Sequence, residues 1–116
     1  MSERRGKYNA KRTTQDGVTF DSLAEARRYD ELKLMEAAGE IWNLKCQPHY
    51  LLQEDFDHDG KHERKIEYIA DFTYFDRTLK CTVVEDCKGF ATEVYKIKRK
   101  IFLKRYPNLK FIEVEA

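Results

Sequence analysis

The chain has 116 residues, 41% of them hydrophobic and 37% charged, with a net charge of +1. That length fits one domain and leaves little room for a second, and a domain so small buries a modest fraction of its surface, which makes a homodimer the expected assembly. No run approaches the ~18 apolar residues of a membrane span, the polar start MSERRGKYNAKR lacks the apolar core of a secretory signal, and three scattered cysteines (Cys46, Cys81, Cys87) point to reduced thiols in the cytoplasm.

Residues 1–12 hold five basic residues (Arg4, Arg5, Lys7, Lys11, Arg12) against one acidic. They read as a flexible basic arm ahead of a domain over 13–116. Gly17 marks a turn, and Val18 to Phe20 a short extended piece. Ser22 followed by Glu25 has capping-box spacing. Leu23, Ala26, Tyr29, Leu32, Met35 and Ala38 then recur at helical intervals, and Gly39 suits a C-terminal cap, so a helix is predicted over 22–38.

Gln47 to Gln53 reads as a strand. The polar stretch EDFDHDGKHERK reads as a hairpin loop with Asp59-Gly60 at its turn. Ile66 to Phe75 and Lys80 to Gly89 read as two further strands, joined by a turn over 76–79. Ala91 to Tyr106 reads as a basic amphipathic helix with Val94, Ile97 and Ile101 on one face and Pro107 as its stop. Leu109 to Val114 is the last strand. The order α-β-β-β-α-β predicts an α/β (α+β) single domain, a mixed central sheet flanked by helices.

Charge is unevenly spread. Residues 13–87 hold nine basic against seventeen acidic residues, whereas 88–110 hold eight basic against one. Basic ends flanking an acidic middle suit a polyanion partner together with a divalent cation. They also fit ordinary solvated surface charge.

The informative segment is VVEDCKG. Strand side chains alternate, so Asp86 and Lys88 are expected on one face. Asp71 sits in the apolar strand YIADF, where a carboxylate is costly to bury unless it is paired or bound to a cation. A hairpin-like return through 75–80 would lay Asp71 beside Asp86. Mg²⁺ or Mn²⁺ would relieve the repulsion between two such carboxylates. Lys88 would meet an activated water or a phosphate oxygen. This is equipment for phosphodiester hydrolysis. Glu25 and Glu85 are further candidate ligands. For Glu25 the capping box with Ser22 is a competing explanation. For the whole group the bland alternative is a charged edge strand with cross-strand ion pairs.

Glu25, Asp71, Asp86-Cys87-Lys88 and the element order resemble the PD-(D/E)XK nuclease superfamily. KYNAKRTTQDGVTFDSLAEARRY, QPHYLL, YIADF and VEDCKG together resemble a small phage-encoded family placed inside it. The resemblance runs from Lys7 to Val114. It implies a restriction-endonuclease-like core and Mg²⁺-dependent cleavage of DNA. Asp71, Asp86 and supporting Glu25 would be the metal ligands, and Lys88 the catalytic lysine. Ala70 stands where many members have proline. Glu85 and Gln47 are accessory candidates, and for Gln47 a plain polar residue at a strand start is an equal reading.

Lys96, Lys98, Arg99 and Lys100, with the arm, are expected to contact DNA phosphates, although a solvated helix face accounts for them as well. The leading expectation is an endonuclease acting on branched DNA, such as a Holliday junction, or on duplex. The alternatives are an exonuclease or nicking subunit of a larger assembly, and a non-catalytic nucleic-acid-binding protein with the same fold. Two decoys are set aside. Asp55, Asp57, Asp59 and Gly60 open like a calcium loop, but Ile66 stands at the bidentate position. Cys46, His49, His58 and His62 match no common zinc spacing.

Overall fold

A computed structural model describes residues 13–88 and 92–115, with the side chain of Lys88 outside the described part. The arm residues Arg4, Arg5, Lys7, Lys11 and Arg12 lie outside the described residues.

The chain opens with a hairpin, β1 (Thr13–Gln15) and β2 (Val18–Phe20). Its two-residue turn, Asp16-Gly17, has φ of 51° and 79°. That is the type I′ conformation, which matches strand twist and which glycine enters freely. Helix α1 follows (Leu23–Ala37), capped by Ser22, whose hydroxyl accepts from the Glu25 N–H at 3.2 Å.

Next comes one long antiparallel ribbon. Its strands are β3 (Ile41–Cys46), β4 (His49–Gln53), β5 (Phe56–His58), β6 (Lys61–Glu63), β7 (Ile66–Ile69) and β8 (Phe72–Asp76). β3 pairs with β8, β4 with β7, and β5 with β6. Asp59-Gly60 forms the far turn, again with positive φ (51° and 75°), and residues 53–66 are exposed throughout. The ribbon changes direction at Gln47-Pro48 on one side and Ala70-Asp71 on the other. There the Gln47 N–H donates to the Asp71 carbonyl (2.8 Å) and the Ala70 N–H to the Pro48 carbonyl (3.1 Å). Asp76 then closes a turn by accepting the N–H groups of Thr78 and Leu79. β9 (Cys81–Lys88), α2 (Glu93–Arg105) and β10 (Lys110–Glu115) complete the chain.

The central sheet has the order β10-β9-β8-β3. Only the β9–β10 pair is parallel, as a helical crossover between them requires. α1 covers one face. Ala26, Tyr29 and Leu32 pack there with Phe20, Ile41, Phe72, Tyr74 and Val83. α2 and the β4–β7 pair cover the other, where Phe102 meets Leu52, Tyr68, Ala70 and Val84. The chain is thus a mixed α/β domain, and the helix–three strands–helix–strand order expected for the central layer is present.

Three expectations need correction. The first central strand is Ile41–Cys46, not Gln47–Gln53, because the latter's partner β7 leaves the central sheet. Ile66–Phe75 is two strands, broken where the hydrogen-bonding partner changes. The inner face of α2 is Tyr95, Ile101, Phe102 and Tyr106; Ile101 packs inward as expected, whereas Val94 and Ile97 are 61% and 59% exposed. Aromatic contacts with Tyr50, Tyr68 and Phe111 outweigh aliphatic periodicity there.

Candidate active site

The candidate site sits where the ribbon bends. Phe72 pairs with Glu85 in the β8–β9 register, so the preceding Asp71 falls opposite Asp86. The Asp71 N–H donates to the Glu85 carbonyl at 3.0 Å, and an Asp71 carboxylate oxygen accepts the Cys87 N–H at 2.6 Å. Asp71 is therefore tied to β9 by its main chain and by its side chain. Asp86, on the α2 face, accepts a hydrogen bond from the Tyr68 hydroxyl.

The electrostatics follow from this crowding. Burial, then the neighbouring Asp71, pushes Asp86 up to about 8. Burial also raises Asp71, with Glu25 adding repulsion. Glu25 is raised by burial and by Asp21 and Asp86, while a hydrogen bond from the Asp21 backbone pulls it the other way. The three carboxylates thus feel one another, and each lies in a setting that penalises its charge. Burial and the adjacent Asp71 likewise hold the Cys87 thiol protonated.

The adjacent Glu85 has a different task. It is fully buried on the α1 face. Arg28 donates to both of its oxygens, from Nε at 2.8 Å and from a terminal nitrogen at 2.6 Å, and the Tyr74 hydroxyl donates as well. The Glu85 side chain therefore lies on the opposite face of β9 from that of Asp86. Gln47 approaches through its backbone: its N–H holds the Asp71 carbonyl, its side-chain amide donates to the Thr19 carbonyl at 2.8 Å, and its φ is 55°. It buttresses the bend that carries Asp71.

Lys88 ends β9. On α2, Lys96 and Lys100 are exposed and Lys98 is half-buried. Arg99 is drawn inward, its guanidinium 5.5 Å from the centre of the Phe111 ring and 3.5 Å from the Glu113 carboxylate. Glu113 was not singled out from the sequence. It lies in register with Asp86 on the neighbouring strand, adds to the charge crowding there, and accepts from the Tyr95 hydroxyl at 2.5 Å. Only the parallel register of the last strand discloses it.

Among the described residues, no three His, Cys, Asp or Glu side chains are grouped as a cation cage. Mg²⁺ needs no such cage, since it keeps several waters and takes one or two carboxylates. Asp71, at the bend just before β8, and Asp86, on β9, are hard oxygen donors, each disfavoured as a bare anion, and this pair fits such an ion.

The fold and site define a small mixed α/β domain with half-buried carboxylates gathered at a bend in its sheet. Residues 5–115 match the family described as "Protein of unknown function (DUF1064)", and the chain belongs to that family. No curated protein and no solved structure matches it. Among the described residues, no helix is long and apolar enough to cross a membrane.

Proposed function

We propose that this protein is a Mg²⁺-dependent (or Mn²⁺-dependent) endonuclease that hydrolyses phosphodiester bonds of DNA. The observation that carries the reading is the pairing of Asp71 with Asp86. Each gains little from burial as an apolar neighbour and loses much as a charge. Such a pair is better explained by a ligand that compensates it than by packing.

In this reading Asp71 and Asp86 hold the cation, and Glu25 supports them from the first turn of α1. When bound, the cation supplies Lewis-acid polarisation of the phosphoryl oxygen and a more acidic water. Tyr68 fixes the Asp86 carboxylate by occupying one of its oxygens. Lys88, two residues beyond Asp86, adds positive charge where the transition state gains negative charge. Lys96, Lys98 and Lys100 provide phosphate contacts that position the strand without reading its sequence. Arg99 is spent partly on Glu113 and Phe111.

Branched DNA is the preferred substrate class in this proposal, with a homodimer cutting paired strands in the cytoplasm of a phage host. The resemblance to PD-(D/E)XK nucleases supports that assignment. The test is incubation with Mg²⁺ and labelled four-way junction, flap, duplex and single-stranded DNA, with Asp86→Asn and Lys88→Ala proteins alongside. Metal-dependent cleavage is expected to fall at least ~100-fold in both variants. A wild-type protein that binds DNA equally well with and without metal, and cuts none of these, refutes catalysis and leaves a binding protein.

A further inference from the structure

Among the described residues, the α2 face of the sheet is not covered over its whole length. Beyond Val84, toward the edge strand β3, lies a cavity of about 200 Å³ lined by Asn43, Lys45, Thr73, Tyr74, Phe75 and Thr82. Phe75 pairs with Trp42 on one side and Thr82 on the other. Their neighbours Ile41, Tyr74 and Val83 pack on the α1 face, so alternation turns Trp42, Phe75 and Thr82 away from it.

Three features of this place are unusual together. Trp42 is the single tryptophan of the chain and is 45% exposed. Its ring is stacked on Phe75 with centroids 4.9 Å apart and planes 24° from parallel. β3 is bulged between Trp42 and Lys45, with Asn43 at φ 59°. A bulge re-aims side chains, and a non-glycine residue held at positive φ is a cost that the surroundings must sustain. Finally, the rim is polar. Asn43 offers an amide donor and acceptor, Thr82 a hydroxyl, and the exposed Lys45 a cation. The Thr73 hydroxyl is already spent on the Val83 carbonyl at 2.9 Å.

We infer that the Trp42–Phe75 platform and the adjoining cavity form a subsite for one unpaired nucleobase of a DNA strand, with Lys45 meeting the flanking phosphate. An aromatic platform beside a cation is how single strands are held without regard to sequence. The cavity is smaller than the ~300–1,000 Å³ of drug-sized sites, so it takes one heterocycle. β3 is the edge of the central sheet, which lets a strand approach from the side. The choice of DNA as the polymer rests on the nuclease reading. The platform itself does not. Thr82 lies four residues from Asp86 on the same strand, ~13 Å at ~3.3 Å per residue. The subsite would therefore hold a base roughly two nucleotides from the bond being cut, and would favour junctions and flaps over intact duplex.

The test uses the Asp86→Asn protein in EDTA, so that binding is read without metal or cleavage. Tryptophan emission comes from Trp42 alone. A short oligothymidylate should quench it saturably, whereas an abasic oligonucleotide of equal length should not. Fluorescence anisotropy of a labelled strand should show Trp42→Leu weakening single-strand binding roughly five- to a hundred-fold, with duplex binding changed less than twofold. Lys45→Ala, which keeps the fluorophore, should shift the quenching curve to higher DNA concentration. Emission that stays constant while anisotropy saturates overturns the subsite. So does emission that varies with protein concentration in the absence of DNA, which would mean that a second copy covers the platform. Absence of cleavage by the wild-type protein in the earlier experiment, with quenching retained, would sink the nuclease reading and leave this one standing.

Discussion

Arg28→Met should destabilise the protein more than any change at its surface. Glu85 is fully buried, and its Arg28 partner is only 20% exposed. Two charge-assisted hydrogen bonds join them, and the Tyr74 hydroxyl completes the group. The same contact with Glu85 raises the proton affinity of Arg28, so the guanidinium stays charged. Removing the guanidinium leaves a carboxylate with one neutral donor in a site closed to water. Breaking a buried pair in this way costs about 3–5 kcal/mol. Against a total of roughly 5–15 kcal/mol for a domain of this size, that is a large share, equivalent to a fall in Tm of roughly 10–25 °C. Urea denaturation at neutral pH would measure it, with the m-value checking that the unfolded state is unchanged. A variant carrying Arg28→Met, Glu85→Leu and Tyr74→Phe together removes all the polar groups at once and should return to within ~1.5 kcal/mol of wild type. If Arg28→Met costs under ~1 kcal/mol, or the triple variant is no better than the single one, the clamp is not what holds α1 to the sheet.

Two other outcomes follow from the same geometry. The folded Asp86 carboxyl has a proton affinity raised from an ordinary value near 3.8 to about 8, so the folded state holds a proton there that the unfolded chain gives up. Its contribution to stability is present below pH ~4 and lost as pH rises toward 8, so metal-free wild type should weaken over that window in EDTA. Asp86→Asn should flatten the slope and be more stable at pH 8 by at least ~1.4 kcal/mol, the free energy of a tenfold change in proton affinity. A parallel slope in both proteins would place the titration elsewhere. On α2, Phe102→Ala should cost ~3–5 kcal/mol while Val94→Ser stays within ~0.5 kcal/mol, and equal losses in thermal melts would restore the aliphatic face expected from periodicity.

Much of the fold was legible because each of those elements depends on local chemistry. Ser22, Gly39, Pro107 and the Asp59-Gly60 turn act within a few residues. What escaped depends on distant partners. Ile41–Cys46 shows poor alternation because its bulge at Asn43 shifts the phase, so the strand is identified only by pairing with β8. Ile66–Phe75 looks continuous because both halves are extended, and the change of partner at Asp71 leaves no mark in composition. The pairing of Asp71 with Asp86 could be anticipated because one short turn sets the register of β8 on β9. Glu113 could not, because its register comes through a helix and a parallel strand.

The run Glu85-Asp86 shows how one strand serves two purposes. Adjacent carboxylates are ambiguous as sequence, yet strand alternation must send them to opposite faces. Glu85 meets an arginine and is neutralised inside the protein. Asp86 accepts from the Tyr68 hydroxyl and faces the charges of Asp71 and Glu113. The two are mechanically linked. Arg28 stands one helical turn after Glu25 on α1, so the clamp on Glu85 also sets where Glu25 sits relative to Asp71. Weakening the clamp should therefore loosen the site before it unfolds the protein. Arg28→Lys keeps the charge but loses the paired donors. If the proposed nuclease activity is present, Arg28→Lys should lower cleavage at temperatures where circular dichroism is still that of the native state, whereas a purely structural clamp would lose both together.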